Sequence, residues 1–221
     1  MNLPKLVIFD MDGLIFDTER LFMNKKAAVL EAYGYEAKES DYIQTVGLAG
    51  KQLNDKLFEI YGFDYPALEI SHKTREIVNE HMEKNGPDVK PGIRELLKWL
   101  QTQKVKCCVA SSTQSQYVKK YLKMANLDEY FDFVVGGEMV EHSKPNPDIF
   151  LLACERAKQS PENALVFEDS ENGIRASYAA HIPVICVPDL KYPSEEIEKM
   201  CYGICKRADD AIEYLNCYEQ N

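Results

Sequence analysis

The 221 residues are 45% hydrophobic and 28% charged, ordinary for a globular protein and enough to bury a full core in one domain with an insertion or in two small domains. Lys and Arg total 26 against 36 Asp and Glu, and the net charge of −10 argues against non-specific binding to nucleic acid or to an anionic membrane. No run is apolar and long enough to span a bilayer, Pro4-Lys5 lead into a strand rather than a leader, and the seven Cys follow no framework spacing, so a cytoplasmic chain without a disulfide scaffold is predicted.

In chain order, the apolar run at 5–9 is a predicted strand ending in Asp10-Met11-Asp12-Gly13. Strand side chains alternate between faces, so two carboxylates two residues apart project the same way. Gly13 lets the backbone turn away there without steric cost. From about residue 17 to 87 no convincing strand occurs, and 19–33, 50–61 and 67–84 read as helices, an all-helical block inserted between the first two strands. Pro91-Gly92 marks the onset of a helix over 93–103, in which Trp99 is expected to pack into the core. Strands follow at 105–110, 133–135, 164–167 and 183–187, with helices at 114–124, 148–157 and 171–180 between them. Cys107 and Cys108 fall in a strand expected to be buried, where a thiol acts as a small apolar side chain. Cys201 and Cys205 lack partner ligands at zinc spacing. The tail, 194–221, adds two helical stretches around Tyr202-Gly203-Ile204. Alternating strands and helices imply a parallel sheet covered by helices.

Ligands in open parallel sheets bind beyond the C-terminal strand ends, so the residues there carry the functional argument. They are Asp10-x-Asp12, then Ser111-Ser112-Thr113, whose hydroxyls and backbone N–H groups at a helix start can hold phosphate oxygens. Next come Lys144, set between Ser143 and two prolines, and Glu168-Asp169-Ser170, followed by Asn172-Gly173 at a helix start. Singly, each has a plainer explanation: a turn-forming Asp, an N-cap cluster, a solvated loop Lys. Jointly, an acid pair, a hydroxyl, a lysine and a second acid pair at one edge of one sheet make coincidence the weaker account.

Oxygen ligands from carboxylates and a backbone carbonyl suit Mg²⁺, with Asp10 and Asp169, supported by Glu168, as the carboxylates. Crowded carboxylates repel unless a cation sits among them, which gives Lys144 its place. Asp10, kept ionised, can attack phosphorus. Asp12 can give its proton to the leaving oxygen and then take one from water.

These blocks, Asp10-Met11-Asp12-Gly13-Leu14, Val109-Ala110-Ser111-Ser112, Lys144-Pro145-Asn146-Pro147-Asp148 and Glu168-Asp169-Ser170 with Gly173, stand in the order found in haloacid dehalogenase-superfamily phosphatases. The chain resembles the branch that includes β-phosphoglucomutase, over nearly its whole length. The resemblance implies an α/β fold, a Rossmann-like parallel sheet with helices on both faces, in a catalytic core of residues 1–15 and 88–221. It implies an inserted all-helical cap domain at 16–87. It implies Asp10 as the aspartyl-phosphate nucleophile, Asp12 as general acid/base, and Ser111 and Lys144 as stabilisers of phosphate and nucleophile. Gly13 and Ser112 would line the phosphate site, and Mg²⁺ would be held by Asp10, the Asp12 backbone carbonyl and Asp169, with Glu168 direct or through water. An acid at position 12 marks phosphoryl chemistry in such proteins and tells against carbon–halogen cleavage.

Two positions depart from the pattern. Where β-phosphoglucomutases carry a cap histidine, Phe22 stands here; a phenyl ring passes no proton, which favours hydrolysis over mutase action. After Ala180, where relatives commonly have glycine, His181 is expected to take the left-handed conformation at the end of its helix, away from the site. Substrate selection is assigned to cap residues Phe22, Lys51, Lys73 and Arg75, each basic one having a solvated helix face as its plainer reading. His72, His81 and His142 show no ligand spacing.

The leading expectation is therefore a cytoplasmic, monomeric, Mg²⁺-dependent phosphatase that hydrolyses a small phosphomonoester, a sugar phosphate among the candidates, through an aspartyl-phosphate, with neither nucleic acid nor membrane as partner. A phosphomutase is the alternative within enzymes. A phospho-accepting regulatory module is the alternative of another class, and the acid two residues after Asp10 and the insertion beside it tell against that reading.

Overall fold

A computed structural model describes residues 3–48 and 50–216; the last residues of the predicted tail, 217–221 with Cys217, lie outside the described part. The elements run β1 (Leu6–Phe9), α1 (Thr18–Ala32), α2 (Glu39–Thr45), α3 (Gly50–Tyr61), α4 (Ala67–Asn85), α5 (Ile93–Thr102), β2 (Lys106–Ser111), α6 (Ser115–Met124) and β3 (Phe133–Gly136). They continue with α7 (Asp148–Ala157), β4 (Ala164–Glu168), α8 (Glu171–Ala179), β5 (Val184–Cys186), α9 (Glu195–Glu198), β6 (Gly203–Ile204) and α10 (Ala211–Asn216). Two compact units result: Met1–Asp17 with Pro87–Asn221, and Thr18–Gly86.

The larger unit is built on one parallel sheet in the order β3-β2-β1-β4-β5-β6. The sheet is buried on both faces, as its apolar strands require. On one face Leu6, Ile8, Cys108, Ala110, Ala164, Val166, Val184 and Cys186 pack against Ile149, Phe150 and Ala153 of α7 and Ile174 and Ala176 of α8. The alternate residues Val7, Phe9, Val109, Leu165 and Phe167 point the other way and are equally buried, with Phe9 stacked on Phe167 at 5.1 Å between ring centroids. Burial pushes the Cys107 thiol up to about 12, as for an inert apolar side chain in a strand.

The chain places β2 and β3 on one side of β1 and then crosses to lay β4 on the other. That reversal opens a crevice at the C-terminal end of β1, where parallel sheets bind their ligands. Register sets what meets there: Phe9 lies opposite Val109 of β2 and Phe167 of β4, so the residues that follow these three arrive at one level.

Three expectations are corrected. Residues 203–204, read as an apolar spacer between helices, form a sixth strand; backbone pairing with β5 fixes it, with the Cys205 N–H donating to the Cys186 carbonyl at 2.8 Å. Helix α2 has no counterpart in the sequence reading, because its residues are mostly polar and Thr45 is the buried one among them. Trp99 is only partly buried, and Ile93, Leu96, Leu97 and Leu100 fill the core side of α5 instead. His181 does adopt φ +57°, and the Ile182 N–H donates to the Ser177 carbonyl at 3.0 Å, closing α8 in a Schellman-type cap.

In the unit Thr18–Gly86, α1 packs chiefly on α4. Val29, Leu30, Leu57, Tyr65 and Ile70 form its buried centre. Its aromatic cluster includes Tyr61 stacked on Tyr65 at 4.7 Å and Tyr35 edge-on to both. Among the described residues, no helix is long and apolar enough to cross a membrane.

Candidate active site

Asp10 follows the last residue of β1, with its backbone N–H donating to the Phe167 carbonyl at 3.0 Å, and is 7% exposed. Its neighbour across β4 is Glu168, 1% exposed. Lys144, in the loop before α7, reaches both: its ammonium lies 2.5 Å from Asp10 Oδ1 and 2.7 Å from Glu168 Oε1. The same ammonium donates to the Ala110 carbonyl at 3.3 Å and sits 4.8 Å from the centre of the Phe150 ring. An ammonium so enclosed would lose charge by desolvation. Burial does act to lower its pKa, but Asp10 and Glu168 outweigh it and hold Lys144 above the ordinary lysine value.

Glu168 is the anchor of this corner. Its second oxygen accepts from the Asp169 N–H at 2.9 Å, the Ser170 N–H at 2.8 Å and the Ser170 hydroxyl at 2.9 Å. That hydroxyl accepts in turn from the Gly173 N–H at 3.1 Å and caps α8. The packing is close enough that a Cβ on Gly173 would lie 1.7 Å from Glu168 Oε1. Glycine at 173 is thus a condition for the carboxylate to sit where it does.

The Asp169 carboxylate approaches the turn after β1, where a Cβ on Gly13 (φ +79°) would meet Asp169 Oδ2 at 2.2 Å. Carboxylate oxygens of Asp10, Glu168 and Asp169 all lie within 4.8 Å of one another. Three acids this close cannot all ionise cheaply with one ammonium between them. Burial pushes the Asp10 carboxyl up to about 7, against the pull of Lys144 and with added repulsion from Glu168 and Asp12. Asp169 is raised well above the usual range by burial first, and then by Glu168, Asp10 and Asp189. Asp189 itself is 5% exposed and paired with Lys90, a contact between residues 99 apart. The donors are all hard oxygens and one ammonium compensates only part of their charge, which fits a hard dication such as Mg²⁺.

Asp12 projects from the turn beside Asp10. Its Oδ2 accepts from the Thr113 hydroxyl at 2.8 Å and lies 3.5 Å from the Ser111 hydroxyl, whose oxygen accepts from the Thr113 N–H at 3.1 Å. Ser111 is buried at the end of β2, and Ser112 is exposed in the same loop. The arrangement provides a carboxylate held beside an ammonium and, two residues on, a separate carboxyl oriented by hydroxyls. That pairing suits nucleophilic attack by one group and proton transfer by the other.

The structure thus brings Asp10, Asp12, Gly13, Ser111, Lys144, Glu168 and Asp169 to one strand edge. The sequence shows Thr113 only as part of a hydroxyl cluster two residues beyond Ser111; the structure makes it the hydrogen-bond donor to Asp12. Of the residues assigned to substrate selection, Phe22 is partly buried on α1, its ring 6.4 Å from that of Tyr42. Lys51 and Arg75 are exposed on α3 and α4, and Lys73 pairs with Glu76 at 3.3 Å on the surface of α4.

Residues 7–187 match the sequence model described as haloacid dehalogenase-like hydrolase. The chain is 33% identical over 181 residues to the "Phosphorylated carbohydrates phosphatase" of Thermotoga maritima, covering 80% of this chain and 81% of that one. It is 34% identical over 212 residues to the "Probable pseudouridine-5'-phosphatase" of Drosophila melanogaster, covering 91% and 89% respectively. In three dimensions it resembles a "putative beta-phosphoglucomutase from Thermotoga maritima" with a TM-score of 0.77 at 27% identity, over 97% of this chain and all of that one.

Proposed function

The chain belongs to the haloacid dehalogenase-like hydrolases and is a phosphoric monoester hydrolase among them; on that premise we propose that it cleaves a small phosphorylated metabolite, a sugar phosphate or a related compound, with magnesium and through a phosphorylated aspartate. The observation that carries this reading is Lys144, whose ammonium lies 2.5 Å from Asp10 and 2.7 Å from Glu168 while Asp12 stands beside Asp10 on its own hydroxyl partners.

Asp10, Asp169 and the Asp12 carbonyl would hold the metal. Glu168, both of whose oxygens are engaged, would serve by fixing Lys144 and the Asp169 backbone. Bound there, magnesium supplies the positive charge that neutralises the carboxylates and draws electrons from the phosphoryl oxygens. An Asp10 oxygen attacks phosphorus as the bond to the leaving oxygen breaks, and Asp12 gives that oxygen its proton. Asp12, now ionised and still held by Thr113, takes a proton from water, which attacks the phosphorylated Asp10 and releases inorganic phosphate. Lys144 and the Ser111 hydroxyl would hold phosphoryl oxygens, and Lys144 together with the metal would keep Asp10 ionised. Phe22, at the sequence position where β-phosphoglucomutases carry a histidine, can pass no proton, which supports hydrolysis over isomerisation.

The test is a screen of a broad phosphometabolite panel for released phosphate with Mg²⁺, run beside Asp10→Asn and Asp12→Asn. Both variants should lose at least about 100-fold in turnover, in keeping with the usual contribution of a positioned acid or base. Full turnover by Asp10→Asn would overturn the nucleophile assignment, and isomerised sugar phosphate without released phosphate would establish a mutase instead.

A further inference from the structure

The unit Thr18–Gly86 contains a concavity of its own, of about 150 Å³ and open to solvent. Its lining is amphipathic. Met23, Ala27 and Leu30 present one apolar face of α1, and the rings of Tyr42 and Tyr61 face the same space. The cation in it is Lys26, partly buried, with its ammonium 5.5 Å from the centre of the Tyr42 ring. Among the described residues, the Lys26 ammonium makes no ion pair or hydrogen bond, and the Tyr42 ring is what it faces. Lys38, which also lines the space, is already paired with Glu36 at 2.8 Å, and Glu39 lies exposed in solvent at the rim.

A lysine drawn into an apolar recess ordinarily finds a carboxylate, because a charge removed from water must be compensated. Here Lys26 is partly buried among the lining residues and its head faces an aromatic ring. Burial lowers its pKa, so the charged form is held at a cost that an anion at the same place would offset. The recess is small, and an apolar and aromatic lining with a few placed charged groups is the usual composition of a ligand site.

We propose that this recess is a binding site for a small organic anion with a flat apolar body, its negative group on Lys26 and its body between Tyr42 and Tyr61. The residues that line it belong to the unit Thr18–Gly86 and none is part of the acidic cluster, so the proposal does not depend on the reaction assigned there.

The probe is anilinonaphthalene sulfonate, followed by fluorescence, beside the neutral N-phenylnaphthylamine of similar shape. The folded protein should bind one equivalent of the sulfonate saturably. Lys26→Met, which keeps most of the stem and removes the charge, should weaken the sulfonate about tenfold, the loss of one charge-assisted contact, and leave the neutral dye unchanged. Ala27→Trp, which fills the recess, should weaken both dyes, with thermal unfolding used to confirm that each variant is folded. Equal affinity of the parent and Lys26→Met for the sulfonate would overturn the proposal. So would equal binding of both dyes unaffected by Ala27→Trp, or no saturable binding.

Discussion

Replacing Gly173 by Ala tests the architecture of the acidic corner with a single methyl group. The added Cβ would lie 1.7 Å from Glu168 Oε1 and 1.9 Å from its Cδ, about half an ordinary contact distance, so the Glu168 carboxylate must leave its place. Moving it breaks the 2.7 Å pair with Lys144 and the three bonds to Asp169 and Ser170, all 2.9 Å or shorter. Hydrogen bonds to a charged group contribute about 1.5–3 kcal/mol each and do not add independently. Breaking a buried ion pair costs about 3–5 kcal/mol, so a loss near 4 kcal/mol is the expected size. Displacement of Lys144 and the Asp169 backbone by about 1 Å should lower turnover at least about 100-fold. Gly173 is helical, so without the clash Ala would be favoured there by up to about 1 kcal/mol. Denaturant unfolding of Gly173→Ala, Glu168→Ala and the double variant therefore gives a sign test: the alanine at 173 should destabilise the parent strongly and be neutral or stabilising beside Glu168→Ala. An equal penalty in both backgrounds, or a Gly173→Ala protein within 1 kcal/mol of the parent with full activity, would refute the reasoning.

The raised carboxyls make stability depend on pH and metal together. Asp10 titrates near 7 in the fold against an ordinary 3.8, so its contribution is fully present below 3.8 and is lost as pH rises through 7. In a chelator, Tm should fall between pH 5 and pH 8, and saturating Mg²⁺ should raise Tm more at pH 8 than at pH 5, read by differential scanning calorimetry; an equal shift at both would remove the metal from this site. Thr113→Val removes the 2.8 Å bond to Asp12 and should lower kcat about tenfold with KM nearly unchanged, in steady-state assays on the best panel substrate. A kcat equal to the parent's would show that Thr113 does not orient Asp12.

What the sequence disclosed, and what it hid, follows from the range of the forces involved. The strands were legible because both faces of a parallel sheet are buried, which leaves short uninterrupted apolar runs such as Leu6-Val7-Ile8-Phe9. Helix α7 was legible to the residue, since two prolines stiffen its approach and an Asp opens its first turn. Helix α2 gave no such signal: seven mostly polar residues hold too little apolar surface to show a period. Strand β6 has two residues, one of them glycine, and owes its conformation to β5 rather than to its own side chains. At the strand edge, Asp10, Lys144 and Asp169 could be gathered from sequence because topology brings strand ends together. The Thr113 bond to Asp12 and the dependence of Glu168 on Gly173 could not, because they turn on loop geometry at the scale of a few tenths of an ångström. The Lys90–Asp189 pair, 99 residues apart, had no local signature.

The acids at this edge are not equivalent, and the difference lies in what surrounds each. Glu168 is held by an ammonium, two backbone N–H groups and a hydroxyl, so its charge is spoken for within the protein. Asp10 shares that same ammonium, and Asp169 faces Glu168, Asp10 and Asp189 with Lys144 alone opposing them. Protons therefore collect on Asp10 and Asp169 when no metal is bound, and these are the two carboxylates assigned to it. A chain of net charge −10 repels phosphate esters over most of its surface. A dication that displaces those protons would, with Lys144, offset that repulsion for a phosphoryl group. On the proposed reading, the same crowding that raises Asp10 and Asp169 is what a metal would relieve, so metal and phosphoryl group are expected to favour each other's binding, a coupling that phosphate titrations with and without Mg²⁺ would read.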